Sequence, residues 1–463
     1  MKKFFLVAGC FILVTGSFAQ NVSQKLQKAF QQFESDEQLK HAISSLYVVD
    51  AKPGKVVFDK NSQIGLAPAS TQKIITSVTA FELLGKDYRY KTEFGIDIKS
   101  TSTLYIVASG DPTLGSHRWI GTRDNGIIKR IIHSIPKKTT ELSAVILDNQ
   151  KWEFENIPDG WIWQDIGNYY GAGAEKLNWR ENQYELILKS GKNIGDSVQI
   201  VNTDPELFHY ELNSQIVSAG KGSGDNAYIY FPLNREAGIV KGTIPINENR
   251  FVVSGALPSA SGQFIGEFLD TLMKIGIINP LFALKANDQH KTVKLESENY
   301  KVFHTEFSPS LDSIIYWFNK KSINLYGEAL IKTLAYEKKG FGSTDSGVAI
   351  VKDFWKQKGI DEDELNISDG SGLSPQNRVT THAQVEILKY AKTRDWFSSF
   401  YNSLPEYNGM KIKSGTIKDV KGFCGYHRAK DGTEYIFSFL VNNYNGSASG
   451  LVNKMYKVLD VLK

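Results

Sequence analysis

The chain has 463 residues, 41% apolar and 22% charged, with a formal net charge of +4. That length allows two or three domains with a substantial core, and the composition is that of a soluble globular protein. So small a charge excess excludes an electrostatic footprint for nucleic acid.

The first residues, MKKFFLVAGCFILVTGSFAQ, combine a basic start at Lys2 and Lys3, an apolar run, and small residues at Ser17 and Ala19. They read as a secretory signal peptide over residues 1–19, cut after Ala19, with a run too short and wrongly flanked for a transmembrane segment. VAGC, ending at Cys10, also resembles a lipoprotein cleavage site, but only six residues separate Lys3 from Cys10. Export to the periplasm is therefore expected, and the mature chain keeps Cys424 alone, so it can form no internal disulfide. Within KGFCGYH that cysteine reads as a small buried core residue.

Residues 21–40 are polar and helix-prone. SSLYVVD and KVVFDK flank AKPG as a hairpin. The segment LAPASTQKIITSVTAFELLG then predicts a helix opening at Ser70, with Ile74, Ile75, Val78, Phe81, Leu83 and Leu84 on a broad apolar face. From about Tyr88 the texture changes, and residues 91–250 break into short strand-like runs punctuated by Gly, Asn, Asp and Pro. Helical texture returns at 262–277, across 308–340, at 344–358 and at 381–391. The tail gives two strands, GMKIKSGTIKD and YIFSFLVNNY, with KGFCGYHRAKDG between them, and closes on an apolar helical stripe through Val452, Met455, Val458, Leu459 and Leu462. Helices at both ends with strands between them imply a sheet covered by helices, interrupted by a β-rich insertion.

Several chemistries find no support. The eight histidines are scattered singly, and neither His-Glu-x-x-His nor Cys-x-x-Cys occurs, so no metal site is expected. There is no Walker A loop, no dinucleotide-binding glycine motif and no Gly-x-Ser-x-Gly elbow, so no cofactor is expected either. DEDELNISDG begins like a calcium loop but has Asn366 where that motif needs glycine.

What remains is a serine–lysine pair. Ser-x-x-Lys, Ser-x-Asn and Lys-Ser/Thr-Gly each recur by chance, as Ser134–Lys137, Ser218–Lys221, Ser297–Asn299 and Lys189–Gly191 show. Context separates them: Ser134 runs into Pro136 and Ser218 lies in a glycine-rich stretch, whereas Ser70 opens an amphipathic helix just after Pro68. A hydroxyl is a poor nucleophile, and Lys73 one helical turn later faces the same way and can take its proton. A lysine neutral at pH 7 needs a shift of roughly three units, about 4 kcal/mol, from desolvation and a neighbouring cation. Lys413, in MKIKSGTI, is the candidate neighbour. Ser322 of Ser322-Ile323-Asn324, within the helical region, can relay a proton, and Asn324 can hold a substrate amide. The helix start directs N–H groups and positive dipole at a developing oxyanion.

Three ordered motifs of this kind resemble the class C low-molecular-mass penicillin-binding proteins, the D-Ala-D-Ala carboxypeptidase/endopeptidases of the penicillin-binding protein 4 type. The resemblance covers essentially the whole mature chain. LAPASTQK is similar to the family's nucleophile segment, ASGDPTL (108–114) and YGAGAEKLNWREN (170–182) to markers in its insertion, and SDGSGLSPQNR (368–378) to its most specific signature. It implies an α/β (α+β) architecture, a transpeptidase-like helix–antiparallel sheet–helix domain at 20–90 and 295–463, interrupted at 91–294 by a β-rich insertion of two small domains. It also implies acylation of Ser70 by peptidoglycan stem peptides or β-lactams, then attack by water. Lys73 is the implied base, with Ser322, Asn324 and Lys413 completing the site. Backbone N–H groups of Ser70 and Thr416 form the implied oxyanion hole. Ser414 and Thr416, flanking Gly415 on the substrate-binding strand, would receive the terminal carboxylate. Ile323 and Ser414 depart from the commoner Asp/Asn and Thr at those places.

Two other readings compete. Glu362-Asp363-Glu364-Leu365-Asn366 matches a motif of class A β-lactamases, although it runs straight into ISDGSGLS and reads better as a solvated turn. A non-catalytic peptidoglycan- or β-lactam-binding protein is the second, and the intact Ser70, Lys73, Asn324 and Lys413 set argues against it.

Overall fold

The computed structural model describes residues 22–52, 54–99, 102–139, 141–148, 150–208, 210–231, 237–278 and 300–463. The expected leader at 1–19 and the boundary at 294/295 lie outside them. The chain divides into two compact units. One comprises residues up to Leu83, Ile315–Ser322 and Val348–Lys463, and the other Leu84–Ile314 and Ile323–Gly347.

The first unit is built on a six-stranded antiparallel sheet, in the order Glu406–Tyr407, Met410–Ile417, Val420–Arg428, Glu434–Asn442, Ile43–Asp50, Val56–Lys60. The central strands Ile43–Asp50 and Glu434–Asn442 are buried at every interior position, because helices cover both faces. On one face the helix over 22–34 and the C-terminal helix Ala448–Leu459 bring Leu26, Phe30, Phe33, Leu451, Met455 and Val458 onto Leu46, Val48, Phe437, Phe439 and Val441. On the other, the helix Thr381–Lys392 is tied to the sheet by buried hydrogen bonds, Thr381 to Ser45 at 2.6 Å and Ser438 to Gln384 at 2.6 Å. The helix Lys73–Leu84 is buried all round from Lys73 to Phe81, and Thr79 accepts from the Trp355 indole at 2.9 Å.

The second unit holds most of the β-rich segment. A four-stranded sheet orders Tyr300–Phe307, Lys91–Asp97, Thr103–Val107 and Ala144–Leu147, and two three-stranded sheets use strands between Gln183 and Ala256. Its core gathers Phe94, Ile106, Trp179, Leu186, Val240, Phe264 and Phe268.

The structure corrects the sequence reading in four places. KGFCGYHR is itself a strand, Val420–Arg428, placed between the two expected ones. The helical stretch 308–340 is two helices, Leu311–Lys321 and Asn324–Lys339, broken at Ser322, whose φ is 57°. Ser70 lies in a 3₁₀ turn, Ala69–Gln72, and the α-helix proper begins at Lys73. Finally, residues 323–347 group with the β-rich unit rather than with the tail. Tyr326 donates to Glu181 at 2.7 Å, Lys332 pairs with Glu153 at 3.0 Å, and the Thr344 N–H donates to Glu153 at 2.8 Å. Buried polar groups need such partners, and here the inserted segment supplies them.

Candidate active site

Pro68 leads into Ala69, whose φ of 47° is left-handed. A non-glycine residue in that region costs of order 1–2 kcal/mol, and such strain concentrates at functional sites. The turn is held by Thr71, whose N–H and hydroxyl both donate to Pro68 O, at 3.2 and 2.7 Å. It presents Ser70 at the head of the buried helix.

Lys73 is fully buried. Its Nζ lies 3.0 Å from Ser70 Oγ, donates to Ser371 O at 2.7 Å, and sits 5.7 Å from the Phe318 ring centroid. Three heavy-atom ångströms between amine and hydroxyl is proton-transfer distance. Lys73 is therefore buried rather than solvated.

Ser371 belongs to the 368–378 signature, and the loop's shape explains its residue types. The Asp369 carboxylate accepts from the N–H groups of Gly372 (2.8 Å) and Ser374 (2.7 Å), and from the amides of Asn377 (3.0 Å) and Gln72 (3.0 Å). Gln72 also donates to Asp369 O at 2.6 Å, and Thr76 to Gly370 O at 2.7 Å. Gly372 has φ +82°, and a Cβ there would lie 2.0 Å from Ala69 O. The loop is thereby clamped to the Ala69–Gln72 turn, with the Ser371 carbonyl aimed at Lys73.

The strand Met410–Ile417 forms the opposite wall. Lys413 is 1% exposed, and its Nζ donates to Ser322 Oγ at 2.9 Å and to Ser414 O at 2.8 Å. Burial pulls its pKa down to about 7, and the charge of Lys421 acts in the same direction. A Cβ on Gly415 would come 2.5 Å from Pro68 O and 3.0 Å from Ser70 N, so only glycine lets the strand approach Ser70 this closely. Ser414 is half-buried, and Thr416 is exposed. Buried Cys424 lies opposite Lys413 in the register, and burial pushes its thiol up to about 12.

Ser70, Lys73, Ser322, Lys413, Ser414, Gly415 and Thr416 thus belong to the first unit. Asn324, two residues beyond Ser322, opens a helix of the second unit, where its amide donates to Tyr170 O at 2.7 Å. Sequence reasoning missed two groups beside these residues, the Ser371 carbonyl, which accepts from Lys73, and Lys421, which donates to Thr416 Oγ1 at 2.6 Å. Hairpin arithmetic could have found the second, since Ile417 pairs with Val420 across a two-residue turn and so sets Lys421 opposite Thr416. The β-lactamase-like Glu362-Asp363-Glu364 is a 3₁₀ turn. Glu362 pairs with Lys356 at 3.0 Å, and Glu364 is engaged by Thr380 and by His382 at 2.9 Å.

The sequence pattern of the D-Ala-D-Ala carboxypeptidase 3 (S13) family matches residues 25–406. The D-alanyl-D-alanine carboxypeptidase of Actinomadura sp. (strain R39) is 24% identical over 443 residues, covering 89% of this chain and 80% of that protein. The D-alanyl-D-alanine carboxypeptidase DacB of Haemophilus influenzae is 22% identical, covering 84% of this chain and 83% of the relative. The crystal structure of penicillin-binding protein 4 from Haemophilus influenzae superposes with a TM-score of 0.74 at 17% identity, over 96% of this chain and 98% of the other, and so shows the shared fold. The chain belongs to the D-Ala-D-Ala carboxypeptidase 3 (S13) family, as a class C low-molecular-mass penicillin-binding protein and a serine-type D-Ala-D-Ala carboxypeptidase.

Proposed function

We propose that Ser70 is the nucleophile of this carboxypeptidase, and that the observation carrying the assignment is Lys73 Nζ, buried and 3.0 Å from its Oγ. Lys73 takes the Ser70 proton as Oγ bonds to the carbonyl carbon of the penultimate D-Ala. N–H groups of Ser70 and Thr416 hold the oxyanion. The C–N bond then breaks, and the departing D-Ala amine receives a proton through Ser322 from Lys413, whose pKa of about 7 suits a group that gives and regains one near neutrality. Water hydrolyses the acyl-enzyme. Ser414 and Thr416 receive the terminal carboxylate, and Asn324 keeps the amide-holding role that the resemblance implies.

In the same reading the chain is exported by its leader to the periplasm, where its substrates are peptidoglycan stem peptides. It also cleaves D-Ala–diaminopimelate cross-links, and residues 91–294 are the inserted part of the substrate-binding architecture. β-Lactams acylate the same serine; the Haemophilus influenzae penicillin-binding protein 4 is itself found complexed with a β-lactam. Incubation of wild type and Ser70→Ala with a fluorescent penicillin tests the centre of this proposal. Labelling of wild type alone is expected, and equal labelling of both would sink the nucleophile assignment.

A further inference from the structure

Thr416 and Lys421 stand directly opposite each other on antiparallel strands, and Lys421 Nζ donates to Thr416 Oγ1 at 2.6 Å. The ammonium also lies 5.2 Å from the Phe423 ring centroid, which holds it over that strand. Among the described residues no carboxylate pairs with Lys421, so none of them neutralises its charge. Partial burial pulls its pKa below the usual lysine range, which shows that the charge is held against a desolvation cost.

The hydroxyl's bonding capacity makes this contact directional. An ammonium can only donate, so Thr416 Oγ1 must accept from it, and the threonine's own O–H is left to donate elsewhere. Thr416 is exposed, and Ser414 two residues earlier shares its face of the strand. A hydroxyl preset as a donor, backed by an uncompensated cation, fits an anionic acceptor.

We propose that Lys421 is a specificity-determining residue for the negatively charged end of the ligand, acting through Thr416 and by its own charge on a carboxylate bound at Ser414 and Thr416. The inference rests on the proposed reading of that strand as the carboxylate-receiving one. It predicts that losing Lys421 weakens only ligands that carry the carboxylate.

The test compares full-length wild type, Lys421→Met and Lys421→Arg in their second-order rates of Ser70 acylation. The probes are benzylpenicillin and its methyl ester, followed by intact-protein mass. Lys421→Met should slow the acid about tenfold and the ester less than about twofold, while Lys421→Arg stays within about threefold of wild type for both. The ratio of the two rates within one variant does not depend on how much of that protein is folded. Equal slowing of acid and ester would reduce Lys421 to a structural role and overturn the proposal, as would an unchanged ratio. Absence of labelling in wild type would overturn the nucleophile reading, and this inference with it.

Discussion

On the proposed assignment Lys413 holds function against stability, and replacing it with methionine should make the protein inactive and more stable. Its pKa falls from 10.5 to about 7 through burial. A displacement of about three and a half units corresponds to about 5 kcal/mol of preference for the neutral form. At pH 7 an unfolded chain keeps that proton, so folding must either discharge the amine or bury its charge. Methionine has a similar buried stem and no charge, but it forfeits the hydrogen bonds to Ser322 Oγ and Ser414 O, each worth about 1 kcal/mol. The expected net gain is about 2–3 kcal/mol at pH 7. The folded pKa lies below the unfolded one, so between about pH 7 and 10.5 the unfolded state carries the extra proton. Wild-type stability therefore rises with pH across that window, by about 1.4 kcal/mol per unit, and the advantage of Lys413→Met shrinks by the same amount. Below pH 7 both states are protonated and the advantage is constant. Urea unfolding at pH 6.5, 8 and 9.5 measures it, with penicillin labelling confirming lost acylation. A variant less stable than wild type at pH 7, or an advantage that does not change with pH, would refute the reasoning.

Two other perturbations probe the site's framework. Gly415→Ala puts a Cβ 2.5 Å from Pro68 O, so either the strand or the Ala69–Gln72 turn must shift. Acylation should fall at least about a hundredfold with a loss of about 1–3 kcal/mol of stability, read by penicillin labelling and a thermal melt; wild-type rates would show that the close approach is dispensable. The Glu364–His382 pair sets a pH window for stability. His382 is raised, chiefly by its hydrogen bond to Glu364, so its contribution is complete below 6.5 and is lost as pH rises through the raised value. Glu364 is lowered by His382 and Thr380 despite burial, so its contribution is present above 4.5 and is lost as pH falls. The stability difference between wild type and His382→Gln should therefore peak between about pH 4.5 and 6.5. Urea midpoints at pH 4, 5.5 and 8 measure it, and a difference that is flat across them would sink the pairing argument.

What the sequence reveals of this site and what it hides follow from which atoms do the work. On the proposed assignment, Ser70, Lys73, Ser322 and Lys413 are legible because the chemistry fixes side-chain types, and few residues can serve as nucleophile or proton carrier. Ser371 contributes a carbonyl, which every residue possesses, so its type carries no signal. Only the Asp369 hydrogen bonds, visible once the loop is folded, show why that carbonyl points at Lys73. The hidden strand Val420–Arg428 makes the same point through absence. Gly422 and Gly425 break its pattern, yet they are there because a Cβ would lie 2.6 Å from Leu440 in one case and 2.2 Å from Lys411 O in the other. Ser322 is similar, since periodicity runs on across a single left-handed residue and gives no warning of a break. That break places Ser322 within 2.9 Å of the Lys413 amine instead of inside a continuous helix. Periodicity therefore fails where tight packing or catalysis demands an exception, at Gly415, Gly422 and Ser322, and those failures themselves point to the site.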